Sequence, residues 1–141
     1  MCRIAIVGSR EFHNYKYLRQ KLIDFCFDTK YEGDCDGEWT PTYYSRYNNV
    51  TIVSGGAKGA DTLAEKFADE FGISKVIFKP DWDLYGRRAG FVRNAKIVDN
   101  CDVLFAFQIN KSKGTQHSID LAKEKSKEVY VFEVEGENNG I

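Results

Sequence analysis

The chain has 141 residues, 43% of them apolar and 29% charged, with a net charge of −1 at pH 7. That is the length of one domain, with enough apolar content for a substantial core, and the near-zero charge supplies no general field for attracting nucleic acid or acidic lipid. No apolar run approaches the roughly 18 residues of a membrane span, and no signal peptide is evident, so a soluble, cytoplasmic protein is expected.

The elements read off in order as strands alternating with helices. Arg3–Val7 is a short apolar run ending at Gly8, a buried strand. Apolar residues at helical spacing predict a helix over roughly Tyr15–Phe27. Val50–Val53 is a second strand, followed by a helix from Ala60 to Phe71 that Gly72 should stop. Lys75–Phe78 is a strand closed by Lys79-Pro80-Asp81. Gly86–Asn100 reads as a helix, Val103–Phe107 as a strand, Thr115–Lys125 as a helix and Val129–Val134 as the last strand. This alternation predicts an α/β fold: one Rossmann-like, doubly wound domain with a mainly parallel five-stranded sheet flanked by helices. The tail 135–141 is polar and expected to fray.

The segment Thr29–Asn49 breaks the rhythm with an acidic stretch (Glu32, Asp34, Asp36, Glu38) and then Trp39, Tyr43, Tyr44 and Tyr47. It is long for a connection. Two readings stay open: a surface insertion carrying a small β-hairpin, and a lid or subunit contact. The acidic stretch is too short and wrongly spaced for an EF-hand. The four cysteines, Cys2, Cys26, Cys35 and Cys101, show no C-x-x-C or Cys/His spacing and read as reduced thiols. Neither a metal nor a resident cofactor is expected.

Three loops each follow a strand, open onto a helix and carry a cation: Gly8-Ser9-Arg10, Ser54-Gly55-Gly56-Ala57-Lys58-Gly59-Ala60-Asp61, and Lys111-Ser112-Lys113-Gly114-Thr115. In a parallel sheet the carboxyl ends of strands share one edge. Loops gathered there present backbone N–H groups and helix N-termini to a phosphate. Gly55 and Gly56 permit close backbone approach, Lys58 supplies charge, Gly59 opens the helix, and Asp61 sits in its first turn. The string is not a Walker A motif and only half matches G-x-G-x-x-G. Arg93, within the apolar stretch 91–98, is a candidate phosphate contact and a candidate for catalysis; Arg87 and Arg88 read as surface arginines. Thr115 is a candidate N-cap. His117 in the first turn of that helix and His13 after the first strand are weaker candidates.

The order GSR, SGGAKGAD, GRRAGFVRN and D-x-L-x-A-F…K-G-T-x-x-S-I-x-x-A resembles the SLOG superfamily, which includes the Smf/DprA and LOG proteins. The branch resembled is the YspA/YpsA-related one. The resemblance covers Arg3–Val134 apart from the insertion. It implies a Rossmann-like fold holding nucleotides or nucleotide-derived ligands at the carboxyl edge of the sheet, and a homo-oligomer. Members include cytokinin-activating phosphoribohydrolases, a branch that binds single-stranded DNA, and sensors of NAD-derived signals in antiviral defence. LOG enzymes use an arginine that Arg93 matches, with Ile97 in place of a methionine. They also use a glutamate in P-G-G-x-G-T-x-x-E; here Gly114-Thr115 match, but Ser118 stands at the glutamate. Asp120 is two residues on and rotated about 200° around a helix.

The reading is therefore a binder of a nucleotide or NAD-derived small molecule, a sensor or sequestering protein without turnover. Its ligand contacts are Gly8, Ser9, Arg10, Gly55, Gly56, Lys58, Gly59, Arg93, Gly114 and Thr115. The alternative is an N-glycosidic hydrolase using Asp61 or Asp81 with His117. Single-stranded DNA binding is a third reading, disfavoured by the net charge.

Overall fold

A computed structural model describes residues 2–33 and 37–134. Asp34, Cys35 and Asp36 of the acidic stretch, and the tail 135–141, lie outside the described residues.

Strand β1 (Cys2–Gly8) leads to helix α1 (Tyr15–Cys26) and a hairpin, β2 (Phe27–Gly33) and β3 (Trp39–Ser45). Then come β4 (Val50–Ser54), α2 (Ala60–Phe71), β5 (Ser74–Ile77), α3 (Trp82–Tyr85), a 3-10 turn (Gly86–Arg88), α4 (Ala89–Asp99), β6 (Val103–Ile109), α5 (Lys113–Glu124) and β7 (Glu128–Val134). The main sheet has the order β5-β4-β1-β6-β7 with every neighbour parallel, the five-stranded Rossmann-like arrangement expected.

Alternation along the central strands separates two cores. Ile4, Ile6, Ile52, Phe105 and Phe107 face α1 and α2, meeting Leu18, Leu22, Ile23, Phe67 and Ala68. Ala5, Val7, Val53, Leu104 and Ala106 face α4 and α5, meeting Ile97, Val98, Ile119 and Ala122. β6 is buried along its whole length, as a central strand covered on both faces must be. Burial pushes the Cys26 thiol up to about 12 and the Cys101 thiol up to about 11, so neither is a thiolate at neutral pH.

Local chemistry sets the helix ends. Asn14 caps α1 by accepting the Tyr17 N–H at 3.1 Å. Gly72 ends α2 in the left-handed region at φ +65°, as its position predicted. The helix expected over Gly86–Asn100 is found as the 3-10 turn and α4; Gly86, at φ +56°, moves the regular helix start to Ala89, and Asp81 caps a separate short helix ahead of it by accepting the Leu84 N–H at 3.1 Å. The last helix begins at Lys113, with Ser112 rather than Thr115 as its N-cap.

The insertion is a β-hairpin. Its base packs Phe27 and Tyr43 on Phe71, while Arg46 N–H donates to Cys26 O and Cys2 N–H donates to Asn49 O. These contacts place it at the amino ends of the strands. The lid reading is corrected accordingly, since a lid over the predicted loops would have to stand at the carboxyl ends.

Candidate functional site

A cavity of about 990 Å³ opens at the carboxyl edge of the sheet. It lies where the chain order reverses between β1 and β6, the position at which open parallel sheets gather ligands. Nine of the ten predicted ligand contacts line it: Gly8, Ser9, Arg10, Gly55, Gly56, Lys58, Arg93, Gly114 and Thr115. No described residue of the hairpin does.

Gly59, the tenth, lies behind the wall. It has φ +81°, and a Cβ there would collide with the Ser9 carbonyl oxygen and the Arg10 backbone. Its role is to let the β1 and β4 loops touch. Gly8 serves similarly, since a Cβ would fall 2.5 Å from that of Ala60 and close the gap between β1 and α2.

Arg93 is the best-fixed cation in the cavity. Its Nη1 donates to Gly55 O at 2.6 Å and its Nε donates to Asn94 Oδ1 at 3.0 Å. Burial holds the guanidinium below its ordinary pKa, opposed by the charge of Asp61. Gly55 is needed for this arrangement: a Cβ would meet Arg93 Nη1 at 2.5 Å and Asp61 Oδ2 at 2.9 Å.

Asp61 is 7% exposed, and its Oδ2 accepts the Ala57 N–H at 3.1 Å. Burial pushes the carboxyl up to about 6, against the lowering effects of the Ala57 N–H and Arg93. The Gly56 N–H meanwhile donates to Ser54 Oγ at 3.3 Å. Two amides of the glycine loop are thus already bonded within the protein.

Ser9 ties the two loops flanking the switch point. Its hydroxyl accepts the Ile109 N–H at 2.9 Å and lies 3.3 Å from Ser112 Oγ, which donates to Thr115 Oγ1 at 2.7 Å. Between these partners, Asn110 and Lys111 both have positive φ, +51° and +50°. That conformation is uncommon outside glycine. The Ser9 side chain is therefore a clamp first and a wall of the cavity second.

Other candidates fall away from the cavity. His117 is not in its lining; it packs beneath Phe91 at 4.6 Å between ring centroids and sits 3.4 Å from Asn94 Nδ2. Asp81 is the α3 cap, and Asp120 accepts from Gln116 Nε2 on the outer face of α5. His13 and Arg88 are also outside the lining. The acid pair Asp81 and His117 is thus removed from the hydrolase alternative, and Asp61 and Arg93 stay in it. Ser118 does line the cavity, but its hydroxyl donates back to Gly114 O at 3.4 Å. Arg87, read as a surface residue, stands at the cavity.

Sequence reasoning missed Lys79, Trp82, Phe91 and Asn94. Lys79 had a usable signal, a cation directly after a parallel strand and hence on the same edge. Asn94 had none, because only the packing of α4 on α5 brings its amide to Gly114 and His117.

The lining holds five cations (Arg10, Lys58, Lys79, Arg87 and Arg93) against two carboxylates (Glu11 and Asp61). Among the described residues, none of the five makes an ion pair within 4.0 Å. A net charge of −1 therefore conceals a local positive surface, and the argument from net charge against nucleic acid does not extend to this cavity. Among the described residues there is also no group of three His, Cys, Asp or Glu placed to hold a metal ion, and no helix long and apolar enough to cross a membrane.

Fold and site together define a Rossmann-like α/β domain with a cation-lined cavity at its switch point. Residues 42–85 match the model of the YspA, cpYpsA-related SLOG family. The chain is 33% identical over 123 residues to the gene 61 protein of Mycobacterium phage D29, an alignment spanning 83% of this chain and 85% of that one. It belongs to the YspA, cpYpsA-related SLOG family.

Two solved structures share the fold. DNA processing protein A (DprA) from Streptococcus pneumoniae superposes with a TM-score of 0.67 at 18% identity, over 93% of this chain and 50% of that one. DNA processing protein A from Helicobacter pylori, described for its single-stranded DNA binding mode, gives 0.59 at 19% identity, over 92% and 64%. The chain thus spans half the length of the first and under two thirds of the second.

Proposed function

We propose that this protein binds a nucleotide or NAD-derived small molecule in the cavity at the carboxyl edge of the sheet, as a sensor or sequestering protein that does not turn it over. The observation that carries this reading is the convergence on one cavity of five cations that have no ion-pair partner among the described residues. Cations beside helix N-termini are complementary to phosphate. The absence of turnover is argued from Ser118, whose hydroxyl cannot do the work of a carboxylate. Titration calorimetry with mononucleotides, dinucleotides and pyrophosphate tests the binding, and chromatography of the same mixtures tests turnover. Micromolar binding with intact ligand supports the reading; failure of every phosphorylated compound to bind refutes it.

One observation favours a second reading, an N-glycosidic hydrolase. Asp61 is a buried carboxyl in the same cavity, with a pKa raised toward the neutral range beside Arg93. That is the environment a general acid or base requires. Free base released over many turnovers and lost in Asp61→Asn would establish it. A homo-oligomer is also proposed, supported by Tyr31 and Trp39, which stand 66% and 68% exposed on the hairpin. Light scattering of the native protein and of Trp39→Ser tests it.

A further inference from the structure

The cavity has two chemically unlike parts. Five cations line it, of which Arg93 is half-buried and Arg10, Lys58, Lys79 and Arg87 are exposed. Its rim carries two large aromatic side chains in water, Trp82 of α3 at 54% exposure and Phe91 of α4 at 50%. Phe91 is held in place, its ring edge-on to His117, and His117 lies against the Asn94 amide that also orients Arg93. One buried side chain, Asn94, thereby touches both a cation of the cavity and the histidine against which a rim ring packs.

The buried part of the lining offers little with which to read a base edge. Asn94 is bonded to Arg93, Gly114 and His117, Ser118 to Gly114, and Ser112 to Thr115. Ser9 is occupied by Ile109. The side chains left to meet a ligand are charges and ring faces, and a ring face stacks on every base alike.

Resting on the nucleotide-binding reading above, we infer that Trp82 and Phe91 form a stacking platform for the ligand's base. The phosphate lies among Arg10, Lys58, Lys79 and Arg93. The site thus takes a nucleotide unit with little discrimination among bases. A free nucleotide and a unit of a single strand present this same chemistry.

The test is calorimetry on the whole protein with AMP, GMP, CMP, UMP, inorganic pyrophosphate and a ten-residue oligothymidylate, for the native chain, Trp82→Ala, Phe91→Ala and Leu84→Ala. Leu84 is a control: it lies on α3, is 68% exposed and is outside the cavity lining. The rim variants should each lose roughly five- to a hundredfold in affinity for all four nucleotides and keep that for pyrophosphate, while Leu84→Ala changes neither. In a Trp39→Phe background, Trp82 fluorescence should respond to nucleotides and not to pyrophosphate; this readout needs no rim variant to fold. A preference for oligothymidylate over UMP assigns the platform to a strand, and parity assigns it to free nucleotides; either keeps the platform. Unchanged nucleotide affinity in both rim variants, or a loss confined to one base, overturns the platform and leaves the cavity reading standing. If neither nucleotides nor pyrophosphate bind the native chain, both fall.

Discussion

The guanidinium of Arg93 occupies the space that a side chain on residue 55 would fill. Its Nη1 donates to Gly55 O at 2.6 Å, and a Cβ on Gly55 would lie 2.5 Å from that nitrogen. Gly55→Ala should therefore displace the arginine while the backbone stays put, because the end of a flexible side chain is what must move. A stability loss of about 1 kcal/mol is expected, within the ordinary range for a substitution. Nucleotide affinity should fall nearly as far as in Arg93→Ala, and thermal melting with calorimetry separates the two effects.

Arg93→Ala itself removes a charged donor from the cavity. At about 1.5–3 kcal/mol for such a hydrogen bond, affinity should drop roughly ten- to a hundredfold. Arg93→Lys should recover little of it, since an ammonium cannot bond Gly55 O and Asn94 in the same fork-like way. Recovery by lysine would mean that charge alone matters.

Asp61 predicts a pH dependence of stability. Its carboxyl titrates near 3.8 in the unfolded chain and about 6 in the fold, so the folded state holds the proton more tightly. The contribution is present in full below pH 4 and is lost as pH rises through 6, by about 2–3 kcal/mol. Asp61→Asn should flatten that part of the stability curve, read by urea denaturation between pH 4 and 7. Arg93 lowers the Asp61 pKa, so Arg93→Leu should move the loss to higher pH, visible in an NMR titration of the carboxyl.

The hairpin predicts a negative result for binding. Its base lies at the amino ends of the strands, and none of its described residues lines the cavity. Shortening it beyond the Asp28–Tyr44 pair should leave nucleotide affinity within about twofold of native, an energy difference under 0.5 kcal/mol. Any change should appear in the mass measured by light scattering, because Tyr31 and Trp39 are removed with it.

The local pattern of the chain determined the order of strands and helices, the glycine that stops α2 and the three loops on one edge. Each rests on short-range chemistry: apolar period, φ preference and the geometry of parallel strands. That was enough to name Gly8, Arg10, Lys58, Arg93 and Gly114 as neighbours before any coordinates. The short helix α3 went unread, although Asp81 was a local N-cap signal for it.

Only the tertiary structure decided what those neighbours do. Gly55 and Gly56 looked alike in sequence, yet one makes room for a guanidinium from 38 residues away and the other donates to Ser54. His117 and Asp61 were both candidates, but α5 turns the histidine under Phe91 while α2 buries the carboxylate in the cavity wall. Side-chain direction and burial depend on which helices pack across the sheet. No local window carries that information, because the contacts responsible join residues far apart in the chain.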